Sequence, residues 1–364
     1  MSTPRLSVDG ARDCFAMNRR LFLAGVAVAG ILPPPAIAAA QPDVRVEKAG
    51  RAGTFRSVAD ALAAAPSDPA KPWHIAIGPG IWEEKLRITR PHVTLSGAGR
   101  DRTILTYSIA AGMKRPDKGN WGTYGSSAVT VEAPDFTATR LSIRNDFDYV
   151  ANTLRPDGIN GAQAVALALG PGADRSVLRD VAIIGHQDSL YLRAGRTLVA
   201  DSLIAGSVDF IFGGAAALIR HCEIRSRRRP GDGVQGFVSA PSTHQAQSVG
   251  FVFRNCRLTR EQGLPDGSVY LGRPWRAGGN MDLLGASAFI DCWMDAHIHP
   301  DGWTSMGYAR NGARAQLTPE EARLFEFGSQ GPGSGSASRS RRLLSTADLA
   351  TFDTSNIWGD WQPA

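Results

Sequence analysis

From residue 74 onward the chain alternates short apolar runs with Gly, Asn and Asp. His74-Ile75-Ala76-Ile77, Val93-Thr94-Leu95-Ser96 and Ala128-Val129-Thr130-Val131 carry the period-two pattern of half-buried strands. Six later triplets share a stricter form. Arg140-Leu141-Ser142-Ile143, Asp180-Val181-Ala182-Ile183, Asp201-Ser202-Leu203-Ile204, His221-Cys222-Glu223-Ile224, Asn255-Cys256-Arg257-Leu258 and Asp291-Cys292-Trp293-Met294 each set a polar residue before an alternating triplet that ends apolar. They start 40, 21, 20, 34 and 36 residues apart. A basic step near 20 with longer excursions is the signature of an all-β solenoid. Each coil supplies one strand per face, insertions become loops, and coils stack about 4.8 Å apart.

Helical periodicity is scarce. Thr54 to Ala65 predicts one helix, with Thr54 as cap, Phe55, Val58, Ala61 and Leu62 on one face, and Pro66 as its stop. It would cover the apolar N-terminal end of the stack. Thr318 to Leu324 and Thr346 to Phe352 read as short helices around a Gly/Ser-rich stretch, Gly328 to Ser338, which is either a linker or a surface loop of the same domain. The 40 glycines and 22 prolines agree with many turns and argue against a helical bundle.

The N-terminus is different. Asn18-Arg19-Arg20-Leu21-Phe22-Leu23 precedes an uncharged stretch from Ala24 to Ile31 and then Ala36-Ile37-Ala38-Ala39-Ala40. Charge, apolar segment and small residues in that order predict an export signal over 1–40, similar to a twin-arginine signal. The alternative, a membrane anchor, conflicts with the short apolar run and with Pro33 to Pro35. Removal of 1–40 leaves a single β-helix domain over 41–364, expected as a monomer in the periplasm or outside the cell. The remaining chain has 36 basic and 32 acidic groups, a net charge of +4. That is too mild for a nucleic-acid partner and compatible with an anionic polymer. Cys14 leaves with the signal. Cys222, Cys256 and Cys292 occupy one phase of the repeat, which predicts an interior stack and leaves a disulfide between two of them open.

Three polar signals interrupt apolar runs: Gln163-Ala164-Val165-Ala166-Leu167, Gln187-Asp188-Ser189-Leu190-Tyr191 and Ser207-Val208-Asp209-Phe210-Ile211-Phe212-Gly213. Asp188 lies eight residues after Asp180, and Asp209 eight after Asp201. Their separation of 21 is one coil, so the two carboxylates should stack on one face. Two acids that close cannot both ionise freely. One becomes an acid, the other a nucleophile or base.

In order and spacing these segments resemble the signature blocks of pectin methylesterases, carbohydrate esterases of family 8. The matches are Gly80-Ile81-Trp82-Glu83-Glu84, Gln163 to Leu167, Gln187 to Leu190, Asp209 to Gly213, and Leu271-Gly272-Arg273-Pro274-Trp275. The resemblance implies a right-handed parallel β-helix that removes methyl esters from polygalacturonate without metal or organic cofactor. It also implies roles. Asp209 is the nucleophile, Asp188 the general acid and then base, and Gln163 and Gln187 the oxyanion donors. Arg273 holds Asp209, and Trp275 contacts the sugar. These roles make chemical sense. A paired carboxylate attacks, neutral amides receive the tetrahedral anion, and departing methoxide needs a proton.

Thr123, Tyr124 and Trp303 are similar to groove positions of the family. His297 and His299 fall in a block that resembles a groove segment, which argues against a metal site. His186 reads as structural. Arg227-Arg228-Arg229 reads as a solvated loop within reach of free pectin carboxylates. Two departures, Ala168 where a basic residue is frequent and Met306 where a Trp is frequent, put the preferred methylation pattern in doubt. Two other readings stay open: an esterase or thioesterase acting on a non-pectin acyl group, and a silent polysaccharide-binding β-helix. A β-helical lyase would need calcium-binding acid clusters, which the sequence lacks.

Overall fold

Parallel pairing in steps of one coil builds the body of the molecule, and the steps are those of the sequence repeat. In the computed structural model Leu141 pairs Val181, Ala182 pairs Leu203, Leu203 pairs Glu223, Glu223 pairs Arg257 and Arg257 pairs Trp293. The structure describes residues 41–117 and 119–363, so the export signal expected over 1–40, with Cys14, lies outside the described residues. Strands gather into a 16-stranded sheet, folded into two faces of the coil, and a seven-stranded parallel sheet that forms another. The result is a parallel β-helix. No helix among the described residues is long and apolar enough to cross a membrane.

The polar residue that opens each repeat makes the corner. Arg140, Asp180, Asp201, His221, Asn255 and Asp291 all adopt left-handed backbone, with φ between 52° and 55°. Short polar side chains tolerate that region best, and four of the six are Asp or Asn. At four corners the amide donates to a carbonyl of the next coil, for example Asn255 N to Ile290 O at 3.0 Å. The apolar residue closing each triplet points inward. Ile143, Ile183, Ile204, Ile224, Leu258 and Met294 form one fully buried row. Cys222, Cys256 and Cys292 form part of the neighbouring row. All three are buried free thiols whose Sγ atoms lean on carbonyls of the preceding coil, so the interior-stack reading holds.

Outside the coil the sequence pattern needs two corrections. The N-terminal helix is shorter than expected, Val58–Ala63, and Ser57 caps it rather than Thr54. The Glu84 carboxylate takes the free amides of Val58 and Ala59, while Phe55 joins the sheet edge opposite Val46. Glu84 therefore fastens the cap onto the stack. Thr318 to Leu324 is not helical. Arg323–Phe327 becomes the last strand of the large sheet, because Ala286–Ile290 otherwise presents an unpaired edge. Thr346–Phe352 is a 3-10 helix, followed by an α-helix at Thr354–Trp358. Phe352, Ile357 and Trp358 pack on Leu198, Leu218 and Val252, the outer face of the large sheet. Gly328 to Ser338 is a loop of the same unit. Buried Arg341 ties it down, donating to Gly333 O, Pro300 O and the Glu326 carboxylate.

Candidate active site

The seven-stranded sheet runs Leu86–Ile88, Val129–Val131, Leu167–Leu169, Leu190–Leu192, Val208–Gly213, Gly236–Pro241 and Val269–Gly272. Leu190 pairs Ile211 and Tyr191 pairs Phe212, a register of 21 that sets Asp188 and Asp209 at equivalent points of adjacent coils. Asp188 N donates to Val208 O at 3.0 Å, and Ala164 N donates to Gln187 O at 3.1 Å. The segments bearing Gln163, Gln187, Asp188 and Asp209 are thus laced together by backbone.

Both acids stand in left-handed backbone, at φ 66° for Asp188 and 49° for Asp209. The register between Val208–Gly213 and Gly236–Pro241 shifts at Asp209, between Val208 and Ile211. A bulge of this kind re-aims one side chain, and strained backbone concentrates where a side chain must be presented. Arg273 follows Gly272, where a Cβ would run into the Ser239 carbonyl, so only glycine lets the coils approach there.

Arg273 grips the Asp209 carboxylate with both prongs, Nε to Oδ1 at 2.9 Å and an Nη to Oδ2 at 2.7 Å. This planar two-bond pairing binds the ionised form. Asp188 has no such partner. Burial first, and the Asp209 charge second, push its carboxyl well above the usual range against a smaller opposing pull from Arg273. One acid is paired with arginine, and desolvation favours the neutral form of its neighbour.

The raised carboxyl has a measurable cost. The folded chain keeps a proton that the unfolded chain releases near pH ~4, so folding stability falls as pH rises above that point. Asp188→Asn removes the penalty. Its gain in Tm over wild type should be near zero at pH ~4 and grow towards neutrality. A gain that does not change with pH contradicts the neutral state.

Beside the acids lies a cleft of about 530 Å³, bordered by Gln187, Arg273, Tyr149, Phe237, Tyr270 and Arg229. Phe237 supports the arginine, with the guanidinium carbon 3.9 Å from the ring centroid. Sequence reasoning missed Phe237 because it follows an irregular excursion where the 21-residue step fails. On the same outer face an aromatic ribbon crosses the coils. Tyr191 stacks on Phe212 at 4.1 Å, Tyr124 meets Tyr191 at 6.0 Å, and Trp275 meets Phe212 at 5.9 Å. Tyr191 and Phe212 are one coil apart, so their phase was a usable signal. Trp275 and Tyr124 are half-buried here. Thr123 lies in the turn Gly122–Gly125, which is tied to Gln163 through Ala111.

Trp303 is a correction. It is 1% exposed and packs inside the coil against Phe289, so it cannot line the groove; the apolar interior near the C-terminal end takes the ring. His297 is fully buried and bonded to Ser226 at 3.1 Å, and burial lowers its pKa to about 4. His299 instead stacks on Tyr270 at 4.1 Å. His186 stacks on Tyr149 at 5.2 Å, with its pKa lowered to about 4 by burial and by Arg227. Arg227 is not freely solvated, since it pairs with Glu261 at 2.9 Å, whereas Arg229 borders the cleft. Ala168 is fully buried in the register row of Tyr191 and Phe212.

Comparison with known proteins supplies the lineage. The pectinesterase family model matches residues 43–350. Pectinesterase A of Dickeya chrysanthemi is 39% identical over 327 residues, covering 85% of this chain and 88% of that protein. Pectinesterase 31 of Arabidopsis thaliana is 33% identical, covering 83% and 87%. Among solved structures, the pectin methylesterase from Erwinia chrysanthemi superposes with a TM-score of 0.85 at 38% identity over 89% of this chain and all but 1% of its own, since 99% is covered. The pectin methylesterase from carrot gives 0.70 at 26% identity, covering 87% and 93%. By sequence and by coil architecture alike, this chain belongs to the pectinesterase family.

Proposed function

We propose that the chain hydrolyses methyl esters of polygalacturonate to free carboxylate and methanol. One observation carries the reading: Arg273 clamps Asp209 on the coil beside a buried Asp188 that burial keeps neutral. A similar solved structure, a pectin methylesterase, is described in complex with a hexasaccharide, which supports a sugar polymer as ligand.

In this reading an Asp209 oxygen attacks the ester carbonyl. The carbonyl oxygen becomes an anion, and the side-chain amides of Gln163 and Gln187 donate to it. When the C–O bond to methoxide breaks, Asp188 gives the leaving oxygen its proton and methanol departs. Asp209 is now joined to the substrate acyl group as an anhydride. Asp188, newly a carboxylate, takes a proton from water as that water attacks the acyl carbon. Collapse expels Asp209 as its carboxylate, leaves Asp188 protonated and frees the galacturonic acid, which gives its proton to bulk water, so charge and protons balance. Arg273 stabilises Asp209 before attack and after release. The aromatic ribbon supplies flat apolar faces for sugar rings. Export through 1–40 and action as a monomer belong to the same proposal.

A methanol-release assay on highly methylated pectin tests the reading. Methanol from wild type and none from Asp209→Ala supports it. Turnover of small esters without methanol from pectin would instead favour the non-pectin esterase, and polymer binding without any turnover the silent β-helix.

A further inference from the structure

Gln163 is aimed by its backbone alone. It stands four residues before the strand Leu167–Leu169, in a segment that belongs to no strand or helix. Among the described residues its side-chain amide has no hydrogen-bond partner, which leaves it open to a substrate oxygen. Two tethers fix that backbone. The Gln163 carbonyl accepts from Ala111 N at 2.8 Å. Two residues further on, the Val165 amide donates to the Ser126 hydroxyl at 3.2 Å, and the Val165 carbonyl accepts from Ala128 N at 3.0 Å.

Both tethers lead to one buried side chain. Asn145 ends the strand Thr137–Asn145 and is 6% exposed. Its Oδ1 accepts from Ile109 N at 3.2 Å and from Phe147 N at 3.1 Å. Its Nδ2 donates to Ile109 O at 2.9 Å, Ser126 O at 2.9 Å and Val165 O at 3.0 Å. Two hydrogens serve three carbonyls, so one bond is shared. Ile109 lies two residues before Ala111, and Val165 two after Gln163. The Asn145 amide thus holds both the loop that grips Gln163 and the segment that carries it. Asp in its place would set a charge against the three carbonyls, and Leu, of similar shape, would leave these backbone groups without partners. A buried network satisfied in this way is rigid. Asn145 itself bonds to none of Gln187, Asp188, Asp209 and Arg273.

We infer that Asn145 is a positioning residue for the oxyanion site. It sets where the Gln163 amide meets the ester oxygen, and so acts on the transition state more than on substrate binding. This rests on the proposed role of Gln163 as an oxyanion donor. A displaced donor loses part of what its removal costs.

A double-substitution cycle tests it, read by methanol release from highly methylated pectin, with circular dichroism to check folding. Asn145→Ala should lower kcat by about 10- to 100-fold with KM changed by less than about threefold. Gln163→Ala should lower kcat by about 10²- to 10³-fold. Once residue 163 carries no amide, its placement no longer matters. The double variant should therefore match Gln163→Ala to within about threefold. An Asn145 that served stability alone would not lose its effect in that background. Ser126→Ala releases the Val165 amide by a separate route and should show the same pattern at about three- to tenfold, which decides the matter if Asn145→Ala does not fold. Losses that multiply, or a folded Asn145→Ala with kcat within about twofold of wild type, overturn the inference and leave the proposed function standing. Gln163→Ala at wild-type kcat, or no methanol from wild type, strikes the reading beneath the inference, and the inference with it.

Discussion

Asp209→Ala should lower kcat on methylated pectin by about 10⁴-fold or more while KM changes only a few-fold. In the proposed mechanism the carboxylate is the atom source for the covalent bond, and no neighbouring side chain is placed to replace it. Asp188 stands one coil away, burial favours its neutral form, and in the proposed mechanism its proton is needed later. Ser189 is fully buried and donates to Ala205 O at 3.1 Å, so it offers no substitute nucleophile. Steady-state kinetics check this, with circular dichroism to confirm folding. Arg273 is about a quarter exposed, so the unpaired guanidinium can rehydrate and the variant should fold. Retention of more than about a tenth of wild-type kcat would show that Asp209 is not the nucleophile.

Asp188→Asn should lose about 10²- to 10⁴-fold on methyl esters, and the loss should depend on the leaving group. Methoxide is a poor leaving group, and in the proposed mechanism it takes the Asp188 proton. An activated aryl ester does not, so acylation of Asp209 should proceed with it. The second half-reaction still lacks a base for water. The variant should therefore show a burst of aryl alcohol close to one equivalent, followed by a slow steady state. A uniform loss on both ester classes without a burst would remove Asp188 from both proton transfers. The same substitution should raise Tm at neutral pH, so lost activity cannot be put down to unfolding.

Much of this was legible in the residues, for an identifiable reason. Coil stacking turns sequence spacing into spatial adjacency, so the polar corners at Asp180 and Asp201 predicted the register that brings Asp188 beside Asp209. The same rule placed Cys222, Cys256 and Cys292 in one interior row. It failed wherever the chain leaves the coil. Phe237 and Tyr270 arrive from excursions with no fixed step, so nothing in their spacing tied them to Arg273. Trp303 matched a groove motif, yet local pattern cannot say whether a ring turns out to the cleft or in to Phe289. Thr318 to Leu324 looked helical because local propensity ignores the open edge that Arg323–Phe327 fills. Ala168 is buried in the ribbon's register row and Met306 opens the hairpin Met306–Leu317, so both bear on the rim and leave the acids untouched.

The central claim is electrostatic: two neighbouring aspartates, one ionised on an arginine and the other a neutral acid. Carbon-13 NMR of protein labelled at aspartate side-chain carboxyls reads this directly at neutral pH. The account predicts one carboxyl resonance at the protonated position, absent from Asp188→Asn and retained in Asp209→Asn. If every aspartate carboxyl resonates as a carboxylate at neutral pH, Asp188 carries no proton to give, and the account is wrong.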